Sequence, residues 1–449
     1  MTRNETTHMR AISKTCRAIA ILAVVGQRLL AQQAIPIRAI TSVEAASTEP
    51  LGFVSGVHEL SDGSVIVNDA GKRRLIAFDR TLGASRVIAD TVAGSKVQYG
   101  SRSTGIIPYM GDSTLLVDAA GRSFLVIDGK GNLSRVMSAP RPNDVTSMAS
   151  AGLGAPGFDR QGRLVYRTML MPAFKAPVVG KPYAPPSMPD SAPLLRADFD
   201  KRSADTVAWL RTQVIKVSTN LLPNGGVVLT PLFSPISTID DWTVLPDGSI
   251  AILRGADYHI DWIDNAGARS SSPKMPFDWK RLSDADKAAL IDSTRTLLER
   301  QLQRTGTGNG SIAPGPGGHG GAGIPVGHSM TIMPIGGDDG APQPKVTAPV
   351  APAVAQLVEP SELPDYYPSV LASGEMRADF DGHVWILPST TTQAGKGLLY
   401  DVVNRRGEIV ERVRLPEGRA LEGFGANGTV YLTSHGPNGT HLERARIIR

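Results

Sequence analysis

Six polar side chains stand where this 449-residue chain could do chemistry: Asp69, Arg254, Asp257, Tyr258, Arg377 and Asp379. Asp69 follows the run Val65-Ile66-Val67-Asn68, and Arg254, Asp257 and Tyr258 follow Ile250-Ala251-Ile252-Leu253. Arg377 and Asp379 precede Val384-Trp385-Ile386. Side chains flanking strand ends can gather into a ligand pocket, or they can cap turns and pair charges between neighbours. A metal centre needs convergent His, Asp and Glu. After residue 31 the imidazoles are His58, His259, His319, His328, His383, His435 and His441, with no two at HxH or HxxxH spacing. Nucleophilic catalysis has little to draw on, because there is no GxSxG phrase and the one cysteine is Cys16. The Gly-rich stretch 315–323 lacks the Lys-Ser/Thr ending of a phosphate loop. Trp242, Trp262 and Trp385 read as core rather than as ligand-stacking surfaces.

The elements that must position these groups announce themselves by repetition. A tight polar turn followed by a β-branched or apolar run occurs six times. The copies are Asp62-Gly63-Ser64-Val65-Ile66-Val67, Gly111-Asp112-Ser113-Thr114-Leu115-Leu116-Val117 and Gln161-Gly162-Arg163-Leu164-Val165-Tyr166. The other three are Asp247-Gly248-Ser249-Ile250-Ala251-Ile252, Asp381-Gly382-His383-Val384-Trp385-Ile386 and Asn427-Gly428-Thr429-Val430-Tyr431-Leu432. A second run ending in an acid or amide follows each of several copies, as in Leu75-Ile76-Ala77-Phe78-Asp79 and Ile260-Asp261-Trp262-Ile263-Asp264, and then a Gly-bearing turn. Asp or Asn caps such a turn, and Gly supplies the positive φ it needs. The unit is therefore a four-stranded antiparallel meander. Phrases at 62, 112 and 161 are 50 and 49 residues apart, and those at 381 and 427 are 46 apart, the period of a propeller blade.

These spacings predict an all-β, six-bladed β-propeller over residues 35–449, with insertions where the phrases stand too far apart. The first insertion, 168–192, is Pro-rich and reads as an extended loop joining two strands of one blade. The second, 280–362, opens with a helix over 283–304, N-capped by Ser283 with Asp286 three residues on. It continues as a Gly/Pro/Ala-rich tract, 305–355, whose composition predicts disorder. The segment around Leu363-Pro364-Asp365-Tyr366-Tyr367-Pro368 then reads as a strap over one face. The last blade is short of a strand, and Ile35-Pro36-Ile37-Arg38-Ala39-Ile40 is expected to supply it and close the ring.

Residues 1–31 read as a secretory signal peptide. Arg3, Arg10, Lys14 and Arg17 precede the apolar run 18–26, which is too short to span a bilayer, and Ala31 offers a small residue for cleavage. Without that segment's five basic and one acidic side chains, the balance of Lys+Arg against Asp+Glu falls from 47:42 to 42:41. The excess of basic charge belongs to the export signal, so a nucleic-acid surface is not expected. Cys16 leaves with it, and the mature chain has no disulfides. The expected compartment is periplasmic or extracellular, with no transmembrane segment in the mature chain, and the expected state is a monomer.

The phrase Asp241-Trp242-Thr243-Val244-Leu245-Pro246-Asp247-Gly248-Ser249-Ile250, followed by Arg254, Asp257-Tyr258 and Ile260-Asp261-Trp262, resembles six-bladed β-propellers of the NHL-like/TolB-like class. Arg377-Ala378-Asp379-Phe380-Asp381-Gly382-His383-Val384-Trp385 resembles the same class. The resemblance implies the fold, which hosts lyases, lactonases and plain binding modules. The class's amidating lyases use zinc-binding His, and its lactonase-like members use a Glu/Asn/Asp metal set. Neither pattern matches this chain residue by residue. The leading reading is a non-catalytic binding or scaffold module for a peptide, glycan or small molecule, without a cofactor. The alternative is a metal-dependent hydrolase or lyase with a structural or catalytic calcium or zinc on the propeller axis.

Overall fold

The computed structural model describes residues 35–92, 97–100, 104–149, 151–178, 181–222, 225–305, 330–332, 346–347, 356–391, 397–436 and 439–447. The expected signal peptide, with Cys16, and the pair His319 and His328 lie outside the described residues. From Arg38 onward the chain forms one compact unit, built almost entirely of β-strands. Its α-helices among the described residues are Val145–Met148 and Asp284–Thr305, and neither is long and apolar enough to cross a membrane.

Antiparallel sheets follow one another along the chain. The first runs Val54–Glu59, Val65–Asp69, Arg74–Phe78 and Ser85–Ala89; the second Ile106–Tyr109, Ser113–Asp118, Ser123–Ile127 and Leu133–Ser138. The third comprises Gly157–Phe158, Leu164–Arg167, Ser191–Asp198 and Ser203–Arg211; the fourth Asp241–Val244, Ile250–Arg254, His259–Ile263 and Arg269–Ser271. The fifth comprises Arg377–Ala378, Val384–Ile386, Leu399–Val403 and Ile409–Arg414; the sixth Arg419–Phe424, Thr429–Gly436 and Gly439–Arg446. Each repeated phrase is the turn between a sheet's first and second strands. In four of them the Gly N–H bonds the carbonyl three residues back, as Gly248 does to Leu245 at 2.7 Å and Gly382 to Asp379 at 3.1 Å. Gly248 and Gly382 hold φ of 79° and 80°, where a side chain is strained.

Successive strand residues face opposite ways, and here both faces are buried. Val65 and Val67 pack against Tyr431 and Leu442 of the sixth sheet, while Ile66 packs with Leu116 and Ile127 of the second. Val384 and Ile386 meet Leu253 and Ile260 of the fourth sheet, while Trp385 between them meets Leu421 and Leu432 of the sixth. Shared clusters likewise join second to third and third to fourth sheets. The circle of clusters closes on itself, which is the arrangement of a β-propeller. It explains why the strands read as continuous apolar runs rather than as alternating ones. The three tryptophans belong to this core: Trp242 and Trp385 are fully buried, and Trp262 nearly so.

Two expectations about the chain's course are corrected. The strand that completes the sixth sheet is Val43–Ala46, paired through Val43–Ala445 and Ala46–Glu443. The segment expected in that role, 35–40, instead contributes Ile37–Ala39 as a fifth strand on the outer edge of the fifth sheet. There Ile40 N–H bonds the Arg414 carbonyl at 3.0 Å and Arg38 pairs with Glu411. The reason lies in connectivity: the outermost strand of one sheet leads by a short link into the first strand of the next, and only Val43–Ala46 is placed to lead into Val54.

The second correction concerns the insertions. Residues 212–240 carry a hairpin, Lys216–Leu221 and Val227–Phe233. Met330–Ile332, Val346–Thr347 and Gln356–Leu357 join it to make a separate five-stranded sheet. Two of these strands fall inside the tract expected to be disordered; the rest of that tract lies outside the described residues. Short Met-Thr-Ile and Val-Thr runs suffice for pairing when a neighbouring hairpin already offers an edge. The Pro-rich loop connects the second and third strands of the third sheet. The helix Asp284–Thr305 begins in a reciprocal cap, with Ser283 Oγ accepting from Asp286 N–H at 3.2 Å and Asp286 accepting from Ser283 N–H at 3.0 Å. Its Ile291, with Leu282, packs on Val358 and Leu363.

Candidate functional site

The first strands of neighbouring sheets pack side by side, and around the ends where they begin the chain gathers an unusual set of buried charges. Asp241 opens the first strand of the fourth sheet. Its carboxylate accepts from the N–H groups of Trp242 (2.9 Å), Gly374 (2.8 Å) and Met376 (2.8 Å). Gly374 and Met376 flank Glu375, so the carboxylate of one sheet clamps the entry of the next and fixes Glu375 between two anchored amides. Burial raises the Asp241 pKa to about 6 against the pull of those amides and of Arg167.

Glu375 keeps some exposure to solvent, although protein surrounds it on nearly every side. Desolvation, then the Asp241 charge, lift its pKa to about 8, with Arg377 opposing. From the sixth sheet comes Glu422, which is buried and accepts from Thr433 Oγ1 at 2.6 Å. Burial lifts its pKa to about 7, with Thr433 and Arg377 opposing. Tyr400 lies between them electrostatically: burial and the charges of Glu375 and Glu422 push its phenol upward. From the third sheet, Arg167 is 8% exposed and donates from Nη1 to Ser373 Oγ at 3.0 Å. Four sheets thus contribute Arg167, Asp241, Glu375, Arg377 and Glu422 to one electrostatically coupled group. Strongly shifted carboxyls beside a guanidinium are a pattern on which acid–base chemistry can be built.

Of the residues expected at a site, only Arg377 belongs to this group. Asp69 is fully buried and occupied: it accepts from Gly52 and Lys72 N–H at 2.9 and 3.2 Å and pairs with Arg74 at 3.0 Å. Arg254 bridges Asp240 and Asp261, each at 2.7 Å. Asp257 pairs with His259 at 2.7 Å and Lys274 at 3.2 Å. Tyr258, at φ 53°, donates to Asp401 at 2.8 Å, and Asp401 pairs with Arg412 at 2.8 Å, tying the fourth sheet to the fifth. Asp379 sits in the first turn of the fifth sheet, where it accepts from His383 N–H at 2.8 Å and Trp385 Nε1–H at 3.1 Å. His58 meets Thr114 Oγ1 at 2.7 Å, and burial lowers its pKa to about 4, so it is neutral at pH 7. The members missed in the sequence carried one usable signal. Asp241 and Glu375 each stand six residues before the Asp of their turn phrase, Asp247 and Asp381. Arg167 and Glu422 carried none, being single charges inside apolar runs.

A metal ion was the cofactor to weigh. Among the described residues, the one group of three carboxylate or imidazole side chains with ligand atoms within 4.8 Å of one another is Asp379, Asp381 and His383. The Asp379 carboxylate there is already engaged as a turn cap. Among the described residues, Asp241, Glu375 and Glu422 do not form such a group, and the guanidinium groups of Arg167 and Arg377 stand among them.

No family model and no curated protein matches the chain. Solved structures similar to it include a gluconolactonase from Xanthomonas campestris, at 12% identity and TM-score 0.35, covering 90% of this chain and 88% of that one. They also include the calcium-binding protein regucalcin from Agrobacterium tumefaciens, at 10% identity and TM-score 0.37, covering 92% and 97%. A virginiamycin B lyase from Staphylococcus aureus is similar at 10% identity and TM-score 0.33, covering 90% and 88%.

Proposed function

We propose that this chain is a six-bladed β-propeller, exported as its N-terminal residues suggest, whose central recess is the active site of a hydrolase or lyase acting on a small molecule by acid–base chemistry. The six blades are the six sheets joined by the closed circle of core clusters. The resemblance of the Asp241–Trp262 phrase to NHL-like/TolB-like propellers is in keeping with that count. The observation that carries the functional reading is Glu375: a carboxyl clamped by its neighbours' bonds to Asp241, open to the recess, and holding a proton near neutral pH. In this reading Glu375 serves as the acid and Glu422 as the base, both beside Arg377, which faces the negative charge that develops on the substrate. Asp241 positions the segment and does not touch the substrate.

The test is a screen of the purified protein against lactones, esters and amidated peptides, in the presence of chelator. Turnover is expected to survive chelation. The pH profile of kcat/KM should be bell-shaped, with limbs near pH 7 from Glu422 and near pH 8 from Glu375. Glu375→Gln should lower kcat by about 10²–10⁴-fold while the thermal transition remains cooperative. Turnover abolished by chelator would replace this reading with a metal-dependent one. Ligand capture without turnover would return it to a binding module.

A further inference from the structure

Arg167 is a cation in want of an anion. It lies at the end of the third sheet's second strand, 8% exposed, and its Nη1 is satisfied by Ser373 Oγ. Its Nε–H is buried with no acceptor. The opposite charge that acts on it is Asp241, whose carboxylate already accepts from three backbone N–H groups and makes no hydrogen bond to Arg167. Burying a guanidinium with an open N–H is costly, and native proteins leave such a group unpaired chiefly where a ligand, ion or water completes it.

Two further observations place that acceptor. Ser373 also donates to the Asp240 carbonyl at 3.3 Å and stands two residues before Glu375, so the guanidinium is held at the start of the segment that carries the acid–base group. Ser373 and Gly374 form a turn, with Gly374 at φ 88°, that leads directly into Glu375. Thr168, the next residue after Arg167, is buried against Ser147 (Oγ to Oγ1, 3.5 Å), which keeps this wall in place. Nε lies on the edge of the guanidinium that pairs with planar carboxylates. Asp241 and Glu375 alongside weigh against a doubly charged phosphate.

We propose that Arg167 is the specificity residue of the recess, and that the substrate is a small molecule bearing a carboxylate, bound at Arg167 with its reacting bond towards Glu375. This rests on the recess being the site of action.

The experiment compares acetate and benzoate with acetamide and benzamide, using ligand-observed NMR and thermal shift on the full chain, its Arg167→Met and Arg167→Lys variants, and Glu375→Gln. The carboxylates should bind the unaltered protein, and the amides should bind at least about 10-fold more weakly, the scale of one hydrogen bond to a charged group. Arg167→Met should abolish the preference. Arg167→Lys, which keeps the charge without the planar edge, should lose about 10-fold and decides the matter if the Met variant does not fold. Glu375→Gln should still bind the carboxylates. Equal binding of acids and amides to the unaltered protein, or an undiminished preference in the Arg167 variants, overturns the proposal and indicates that a buried water completes Nε. Turnover of uncharged esters that depends on Glu375 but not on Arg167 would sink this inference and leave the acid–base reading standing.

Discussion

At the scale of single residues, three carboxyls here hold protons that ordinary ones have lost, and the consequence for stability has a definite sign. Burial raises Asp241 to about 6, Glu422 to about 7 and Glu375 to about 8, from ordinary values near 4. The folded protein therefore binds these protons more tightly than the unfolded chain does. That contribution is full below about pH 4, where both states are protonated, and is lost as pH rises through 6 to 8. Stability should fall between pH 5 and 8.5, read as a declining denaturation midpoint. In a Glu375→Gln, Glu422→Gln double variant the decline should be shallower, since two of the three titrating groups are gone. An identical slope in both proteins would show that these carboxyls are not shifted.

At the scale of elements, the insertions are attached by specific contacts rather than draped on the propeller. The helix Asp284–Thr305 is fixed by the Ser283–Asp286 cap, by Lys287 reaching Asp365 at 2.8 Å, and by Ile291 in the cluster with Leu282, Val358 and Leu363. The following segment is fastened in turn: Ser369 Oγ bonds the Gly255 carbonyl at 2.9 Å and Ser389 N–H bonds the Ser369 carbonyl at 2.8 Å. It then delivers Ser373, Glu375 and Arg377 to the charge cluster. Ile291→Ala should cost about 2–5 kcal/mol within this subassembly by leaving a cavity. Limited proteolysis should show cleavage in the 280–370 region accelerating well before the sheets are cut. Uniform protection in the variant would mean that the helix is not what holds this region down.

For the molecule as a whole, closure is the main structural device, because a sequence with a single cysteine, Cys16, has no disulfide within the chain. The sixth sheet is completed by Val43–Ala46, so the two ends of the propeller are joined by backbone hydrogen bonds, reinforced by Ser47 N–H to the Leu442 carbonyl at 2.7 Å and Leu51 N–H to the Thr440 carbonyl at 2.7 Å. Among the described strands, a chain starting at residue 41 loses the added edge strand of the fifth sheet; one starting at 48 loses the closing strand as well. The first truncation should change the melting temperature little, and the second should lower it markedly and promote self-association through the bared edge. Equal melting temperatures would show that the circle holds without Val43–Ala46.

The sequence by itself determined the repeat. Polar turns with Gly at positive φ and β-branched runs are local properties, so the antiparallel sheets, the Ser283-capped helix and the burial of Trp242 and Trp385 were legible residue by residue. It did not reveal which N-terminal strand completes the last sheet, since Val43-Glu44-Ala45-Ala46 carries no strong apolar pattern and is chosen by where its connection must lead. Nor did it reveal the cluster of buried charges. Strand-end charges such as Asp69, Arg254 and Tyr258 are indistinguishable in sequence from ligand-binding ones, and the fold spends them on caps and ion pairs. Arg167, Asp241, Glu375 and Glu422 come from four sheets and as many as 255 residues apart (167 to 422). Only tertiary packing brings them together, and only burial gives their carboxyls the protons that mark them out.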